Sequence, residues 1–278
     1  MILIADIGST KGDWRIINND KVSKFTSIGF NPLHDLTMPF LNSLKKMAAT
    51  RKAFKKIKSI HYYGTGVIDH HHVDVVTNIL KEVFRFSEIQ VNSDIMAAVR
   101  STCQNKAGIV AILGTGSNSC QFNGEKIIAQ IPSLGYPLGD EGSGSDMSKR
   151  LIKAYFYKEM SLKLENEFLK VFKMSRTAFL TELKSASSPS KFLAEYVKFI
   201  VAHRNDKLIK NIIRESLEEF FKRHLVKYKM NDNERVHFVG SIAHLFSREI
   251  KRLAKSNQMI IGKIHQYPID ELVSYYKN

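Results

Sequence analysis

Short apolar runs separated by tight turns open the chain. Residues 2–6, 14–17 and 22–27 read as three strands, parted by turns at 8–11 and 18–20. Strands this close in sequence pair as an antiparallel meander. The apolar spacing then lengthens to that of a helix, with Leu36, Phe40, Leu44 and Met47 on one face over 34–50. A strand near 57–63, a helix near 73–84, a strand near 88–91 and a helix near 94–102 follow. The order is βββαβαβα.

The second half begins the same way, with β-like runs at 108–113, 119–122 and 127–131 broken by glycine-containing turns. A long helical region over 145–228 then intervenes, carrying Leu208, Ile212, Ile213 and Leu217 at helical spacing. A strand near 235–239, a helix near 242–254 and a strand near 259–261 complete the pattern. The chain therefore reads as a duplicated α/β unit with a helical insertion in the second copy, each copy a largely buried sheet flanked by helices. The polar gap at 104–107 divides it into domains of 1–105, joined by a closing helix at 268–278, and 106–267. The Ser-rich stretch at 185–190 is a local loop.

Composition narrows the class. A chain of 278 residues with 44% hydrophobic and 25% charged residues buries an ordinary core, which excludes disorder, collagen-like repeats and disulfide scaffolds. The net charge of +15 suits anionic ligands or a Lys-rich solvated surface. Its densest group is Lys45, Lys46, Arg51, Lys52, Lys55, Lys56 and Lys58. No aromatic platform or recognition-helix motif accompanies it, so no nucleic-acid partner is expected. Cys103 and Cys120 form no pairing framework and read as reduced thiols. The longest apolar run, 107–113, is far too short to span a membrane, and Asp6 interrupts the apolar start. A cytoplasmic protein without a membrane partner is expected.

Five segments carry candidate chemistry. Each copy opens with a strand and a hydroxyl-bearing glycine turn: Gly8-Ser9-Thr10-Lys11 in the first, Gly114-Thr115-Gly116-Ser117-Asn118 in the second. Such turns bring backbone N–H groups close to an anion or serve only as tight turns. Their repetition favours a phosphate ligand. Asp6, at the end of an apolar strand, needs a partner: Mg²⁺, directly or through water, or its own turn. Asp94 is open to two readings, a helix cap with Ser93 or a reactive carboxylate at a strand end. The turn at 139–144 sets Asp140 and Glu141 before a helix, a pairing suited to a hydroxyl-rich ligand, a metal or simple capping. Gly240-Ser241 at a strand-to-helix corner permits close approach of a ring or phosphate. His70, His71 and His72 read as a solvated loop and Trp14 as core.

Taken together, these segments resemble the ASKHA superfamily of actin-like ATPases, and within it the BadF/BadG/BcrA/BcrD group that includes N-acetylglucosamine kinase. Residues 112–120 and 133–147 carry the resemblance most specifically. It implies two RNase H-like domains around a nucleotide cleft, with ATP and Mg²⁺ as cofactors and an amino sugar as partner. Gly8, Ser9, Thr10, Lys11, Thr115, Gly116, Gly240 and Ser241 match its ATP-binding positions, and Asp6 its metal position. Asp94 matches the catalytic aspartate. Asn31, Ser117, Asn118 and Asp140 match the sugar-binding positions. The family often forms homodimers. Two departures stand out: Leu134-Gly135 where the kinase commonly has Trp-Gly, and Val239-Gly240 where Gly-Gly is usual. The expected activity is ATP-dependent phosphorylation of an amino sugar, N-acetylglucosamine at its 6-hydroxyl. The alternative is an ATPase activator of a 2-hydroxyacyl-CoA dehydratase, which would need a cysteine-held iron–sulfur cluster. A third reading, a nucleotide-dependent nucleic-acid binder, rests on charge alone.

Overall fold

A computed structural model describes residues 1–173, 175–231 and 233–277. Their elements, in chain order, begin with β1 (Ile2–Ile7), β2 (Lys11–Asn18), β3 (Lys21–Ile28), α1 (Thr37–Thr50), β4 (Ser59–Gly64), α2 (His70–Val83), β5 (Glu88–Ser93) and α3 (Asp94–Thr102). There follow β6 (Ala107–Leu113), β7 (Ser117–Asn123), β8 (Ile127–Ala129), α4 (Gly144–Phe156), α5 (Leu162–Val171), α6 (Arg176–Ser185), α7 (Pro189–Ala194), α8 (Val197–Ala202) and α9 (Lys207–Arg223). The chain closes with β9 (Val236–Val239), α10 (Ser241–Leu245), α11 (Ser247–Ser256), β10 (Ile261–His265) and α12 (Ile269–Lys277). Two compact units result, residues 1–105 with 267–278, and residues 106–266.

The two sheets repeat one topology. The first runs β3-β2-β1-β4-β5 and the second, read from its other edge, β8-β7-β6-β9-β10. In each, a hairpin meander joins strands that run parallel. Parallel strands need crossovers, and the helices that supply them cover the sheet faces. Alternation along β1 shows how the sequence assigns those faces. Leu3, Ala5 and Ile7 pack toward α1 and α2 with Phe40, Leu44 and Leu80, whereas Ile4 packs with Ala97 of α3 and Leu272 of α12. By the same alternation Asp6 shares the α3 side.

Several sequence expectations shift. The helix expected over 242–254 is two helices, because Phe246 turns into the core and is 2% exposed. The strand expected at 259–261 lies at Ile261–His265, where it pairs with β9. The helix expected from residue 34 starts at Thr37, after turns that Asn31 organises. His70, His71 and His72 form the first turn of α2 instead of a loop. Asp69 caps that helix, accepting from the His72 N–H (3.0 Å) and from its ring Nδ1 (2.6 Å).

The first unit is closed by its last helix. Arg15 on β2 is 7% exposed; its Nε donates to Asp270 Oδ1 at 2.9 Å and its Nη1 to the Trp14 carbonyl at 3.0 Å. Lys24 reaches the same carboxylate at 3.0 Å. Replacing Asp270 by Ala leaves Arg15 buried without its anionic partner. Because water reaches Asp270 and screens the pair, the expected loss is about 1–2 kcal/mol, read by thermal unfolding at neutral pH. Arg15, and then Lys24, hold the Asp270 carboxyl below the usual carboxylate range. This stabilisation is therefore complete above the ordinary carboxylate pKa and fades as pH falls through the lowered folded value. A loss that persists undiminished in acid would assign it to something other than the ion pair.

Candidate active site

The parallel strands β1, β4 and β5 end side by side, with Ile7 paired to Gly64 and Gly64 to Ser93. Ends of parallel strands are where α/β sheets leave side chains free for chemistry. Here the edge carries Asp6, Thr65 and Asp94. The Thr65 N–H donates to the Ile7 carbonyl at 3.0 Å, and the Thr65 hydroxyl bonds the Asp94 carboxylate. The Ile95 N–H also bonds Asp94, while Ser93 in the cap position makes no side-chain cap bond. Burial raises the Asp94 carboxyl to about 6 despite these bonds. Asp6 is pushed up to about 7, by burial first and then by the carboxylates of Asp94 and Asp13, with Arg15 pulling the other way. Two adjacent acids thus sit close to neutrality.

Beyond Asp6 the β1–β2 turn places Ser9 and Thr10 at its tip, closed by the Gly8 N–H to the Lys11 carbonyl at 3.0 Å. Lys11 is exposed and pairs with Asp13 at 2.9 Å. The segment after β3 laps over this turn: Gly29 N–H donates to the Thr10 carbonyl and Phe30 N–H to the Gly8 carbonyl, each at 3.1 Å. Asn31 follows directly. Its Oδ1 accepts from the Leu33 N–H at 3.0 Å and lies where a Cβ on Gly66 would overlap it. Asn31, Thr65, Gly66, Asp94 and Asp6 therefore belong to one neighbourhood of the first unit.

The equivalent edge of the second unit brings three sequence-predicted segments together. The Gly114 N–H donates to the Gly116 carbonyl at 2.9 Å. The first turn of α4 then holds that loop, with Gly144 N–H on the Gly114 carbonyl (2.8 Å) and Ser145 N–H on the Thr115 carbonyl (3.1 Å). Ser143 Oγ takes the Asp146 N–H at 3.2 Å. This helix start is consumed by protein groups, so it positions the turn instead of offering its own donors to an anion. Gly240, at φ +122°, packs where a Cβ would overlap the Leu113 carbonyl oxygen, which brings Ser241 against the same turn. Space beside Gly114 is open.

Asp140 lies on the other side of that turn. It is 6% exposed, and its Oδ1 accepts from the Ser117 N–H at 3.1 Å. A Cβ on Gly116 would come within 2.6 Å of that oxygen, so the missing side chain of Gly116 makes room for a protein carboxylate. Burial raises the Asp140 carboxyl, while the Ser117 N–H and Lys149 pull it down. Ser117 Oγ is buried with no hydrogen-bond partner among the described residues, which is costly unless a ligand supplies one. Asn118 Oδ1 is taken by the Ser119 N–H (2.9 Å) and Gln130 Nε2 (3.1 Å). Leu134, the residue in the Trp position, is exposed.

Two features escaped the sequence reading. Thr65 sits in Gly64-Thr65-Gly66, the tripeptide that recurs at 114–116, and that repetition was a usable signal. The second is a cavity of about 1030 Å³ on the second unit between α9 and the α10–α11 pair, lined by Lys210, Arg214, Arg248 and Arg252. The i,i+4 spacing of each basic pair places its two members on one helix face.

No family model matches the chain. An N-acetylmuramic acid/N-acetylglucosamine kinase of Clostridium acetobutylicum is 25% identical over 154 residues, 53% of this chain and 50% of the relative, so the match spans about half of each. A solved structure of a candidate N-acetylglucosamine kinase from Porphyromonas gingivalis superposes over 100% of this chain and 99% of its own, with a TM-score of 0.94 and 29% identity. A glucokinase of the ROK family from Streptomyces griseus, solved with glucose and AMPPNP, shares the fold at a TM-score of 0.61 and 13% identity, covering 99% of this chain and 97% of that one. The chain is thus similar over its whole length to a candidate N-acetylglucosamine kinase, and it shares the two-domain α/β fold of these kinase structures.

Proposed function

We propose that the chain is an ATP-dependent sugar kinase that phosphorylates N-acetylglucosamine, or a close 2-acetamido relative, at the 6-hydroxyl. The observation that carries this reading is Asp94: a half-buried carboxylate with a raised pKa, oriented by Thr65 and Ile95 beside Asp6 and Asn31. A group poised this near neutrality suits proton abstraction from an alcohol. The likeness to the Porphyromonas and Clostridium kinases supports the substrate class, and the nucleotide analogue in the Streptomyces glucokinase supports ATP.

In this reading the ionised Asp94 accepts the proton of the sugar hydroxyl as its oxygen attacks the γ-phosphorus. The new O–P bond forms as the bond to the β-phosphate oxygen breaks, ADP leaves, and Asp94 later returns its proton to water. Thr65 and the Ile95 N–H keep the carboxylate aimed throughout. Gly8, Ser9, Thr10 and Lys11 are the phosphate candidates within the first unit, and Thr115 and Gly116 those within the second. Gly240 and Ser241, with the basic cavity beyond α10, serve the nucleoside end. Asn31, Ser117, Asn118 and Asp140 serve the sugar. The unpartnered Ser117 hydroxyl and the Asp140 carboxylate fit a ligand that both donates and accepts hydrogen bonds.

Among the described residues no three His, Cys, Asp or Glu side chains gather to hold a metal ion. Mg²⁺ beside phosphates needs less: one or two carboxylates, with waters and phosphate oxygens completing the set. Asp6 fits that demand, because burial and two neighbouring carboxylates leave it short of positive charge. Mg²⁺ there supplies charge neutralisation of the phosphates. The dehydratase-activator alternative gains no support from the cysteines, since Cys103 and Cys120 are both buried.

Three expectations follow from this chemistry. A coupled assay of ADP release across a sugar panel should respond to N-acetylglucosamine or N-acetylmuramic acid; silence with every sugar would overturn the kinase reading. Asp94→Asn keeps shape and capping but loses the base, so turnover should fall by about 10²–10⁴-fold with nucleotide affinity retained. Activity of the wild type should rise with pH through about 6, the value of the Asp94 carboxyl. A well-folded, active Asp94→Asn protein would remove Asp94 from catalysis. Asp6→Asn should stabilise the metal-free protein. Since the folded pKa of Asp6 is raised from 3.8 to about 7, wild-type stability declines as pH rises between those values. The gain in the mutant is thus greatest above pH 7 and vanishes below about 4; thermal unfolding without metal at both ends measures it.

A further inference from the structure

The helical insertion carries a residue that none of this chemistry uses. His224 follows α9, is 4% exposed, and stands between two segments that each hold candidate sugar-binding residues. Its Nδ1 lies 3.3 Å from Ser119 Oγ on β7, next to Asn118 and two residues from Ser117. Its Nε2 lies 3.5 Å from Glu141 Oε2, next to Asp140.

One assignment of donors satisfies every group in this network. The Ile131 N–H donates to Tyr228 Oη at 3.0 Å, which leaves the Tyr228 hydroxyl proton for Ser119 Oγ at 2.8 Å. Ser119 in turn donates to His224 Nδ1, and His224 Nε2–H donates to the Glu141 carboxylate. Only the neutral Nε2–H tautomer satisfies every member. Burial lowers the His224 pKa in spite of Glu141, in keeping with that form. Phe220, one turn earlier on α9, stacks on the imidazole with centroids 4.8 Å apart. Arg223 touches the other Glu141 oxygen at 3.5 Å from outside.

The segment being gripped needs a grip. Asp140 has φ +69°, a left-handed conformation that costs an L-residue free energy. One direct bond ties it to β7, from the Ser117 N–H to Asp140 Oδ1 at 3.1 Å. His224 supplies a second, parallel tie, one residue further along each segment or two. We propose that His224 is a positioning residue, which fixes the Asp140 loop against β7 at the spacing a saccharide requires. The proposal rests on the sugar-kinase reading for its ligand. It also assigns a purpose to the insertion: α9 delivers the clamp.

His224→Phe keeps a flat ring on Phe220 but removes both hydrogen bonds; His224→Gln retains one donor and one acceptor. Two readouts separate a positioning role from a merely structural one. In steady-state kinetics, His224→Phe should raise the sugar KM about tenfold, with kcat and the ATP KM within about threefold of wild type, and His224→Gln should recover part of the loss. In amide hydrogen exchange, the Ser117 N–H of His224→Phe should exchange about tenfold faster while the amides of β6 keep their protection. A His224→Phe protein with wild-type sugar KM and wild-type Ser117 exchange would overturn the proposal. So would loss of protection across β6 with sugar and ATP KM worsening together, since that marks a general core residue. If the wild type releases no ADP with any sugar, the kinase reading fails, and the exchange of Ser117 still decides whether His224 holds the loop.

Discussion

A carboxylate prefers water, and the first unit denies it to two of them. Asp6 and Asp94 stand at the ends of strands of one sheet, half-buried, and Asp94 adds to the burial that raises Asp6. Hydrogen bonds from Thr65 and Ile95 relieve Asp94 only in part, and Arg15, the cation acting on Asp6, is itself committed to Asp270. In the proposed function Asp6 is completed by a cation and Asp94 takes a proton. Much of the surrounding structure serves to maintain this discomfort: α3 presents Asp94, α12 pins β2 through Arg15, and Thr65 ties the end of β4 to that of β1.

The second unit solves the opposite problem. Its turn at 114–116 is open beside Gly114, and its carbonyls are fastened by the first N–H groups of α4. Glycine is required at 240 because the Leu113 carbonyl occupies the space of a side chain, and at 116 because Asp140 does. Backbone atoms and one carboxylate, not bulky side chains, therefore shape this edge of the second unit. A surface built from backbone is rigid and tolerates little motion, which suits the positioning that phosphoryl transfer demands.

Positive charge is less diffuse than its scatter along the chain suggests. Lys210, Arg214, Arg248 and Arg252 are far apart in sequence and share one cavity, because α9 and α11 pack together in the core of the second unit. The cluster around residues 45–58, densest in sequence, lies on the end of α1 and the turn after it.

The amino-acid pattern alone determined the duplicated order of strands and helices, since alternation and helical spacing are local consequences of which face is buried. Glycine turns after apolar strands were legible for the same reason: a Gly-Ser-Thr or Gly-Thr-Gly at a strand end has few structural uses. Tertiary structure decided the rest. Nothing local announced that Thr65 would orient Asp94, that Phe246 would break a helix, or that His224 would reach both Ser119 and Glu141. Those contacts join residues separated by tens or a hundred positions, and their energy depends on burial and distance that exist only once the sheet edges have formed. Even the protonation of Asp6 is of this kind, for its composition is that of any aspartate, and burial first, then the company of Asp94 and Asp13, moves it to about 7.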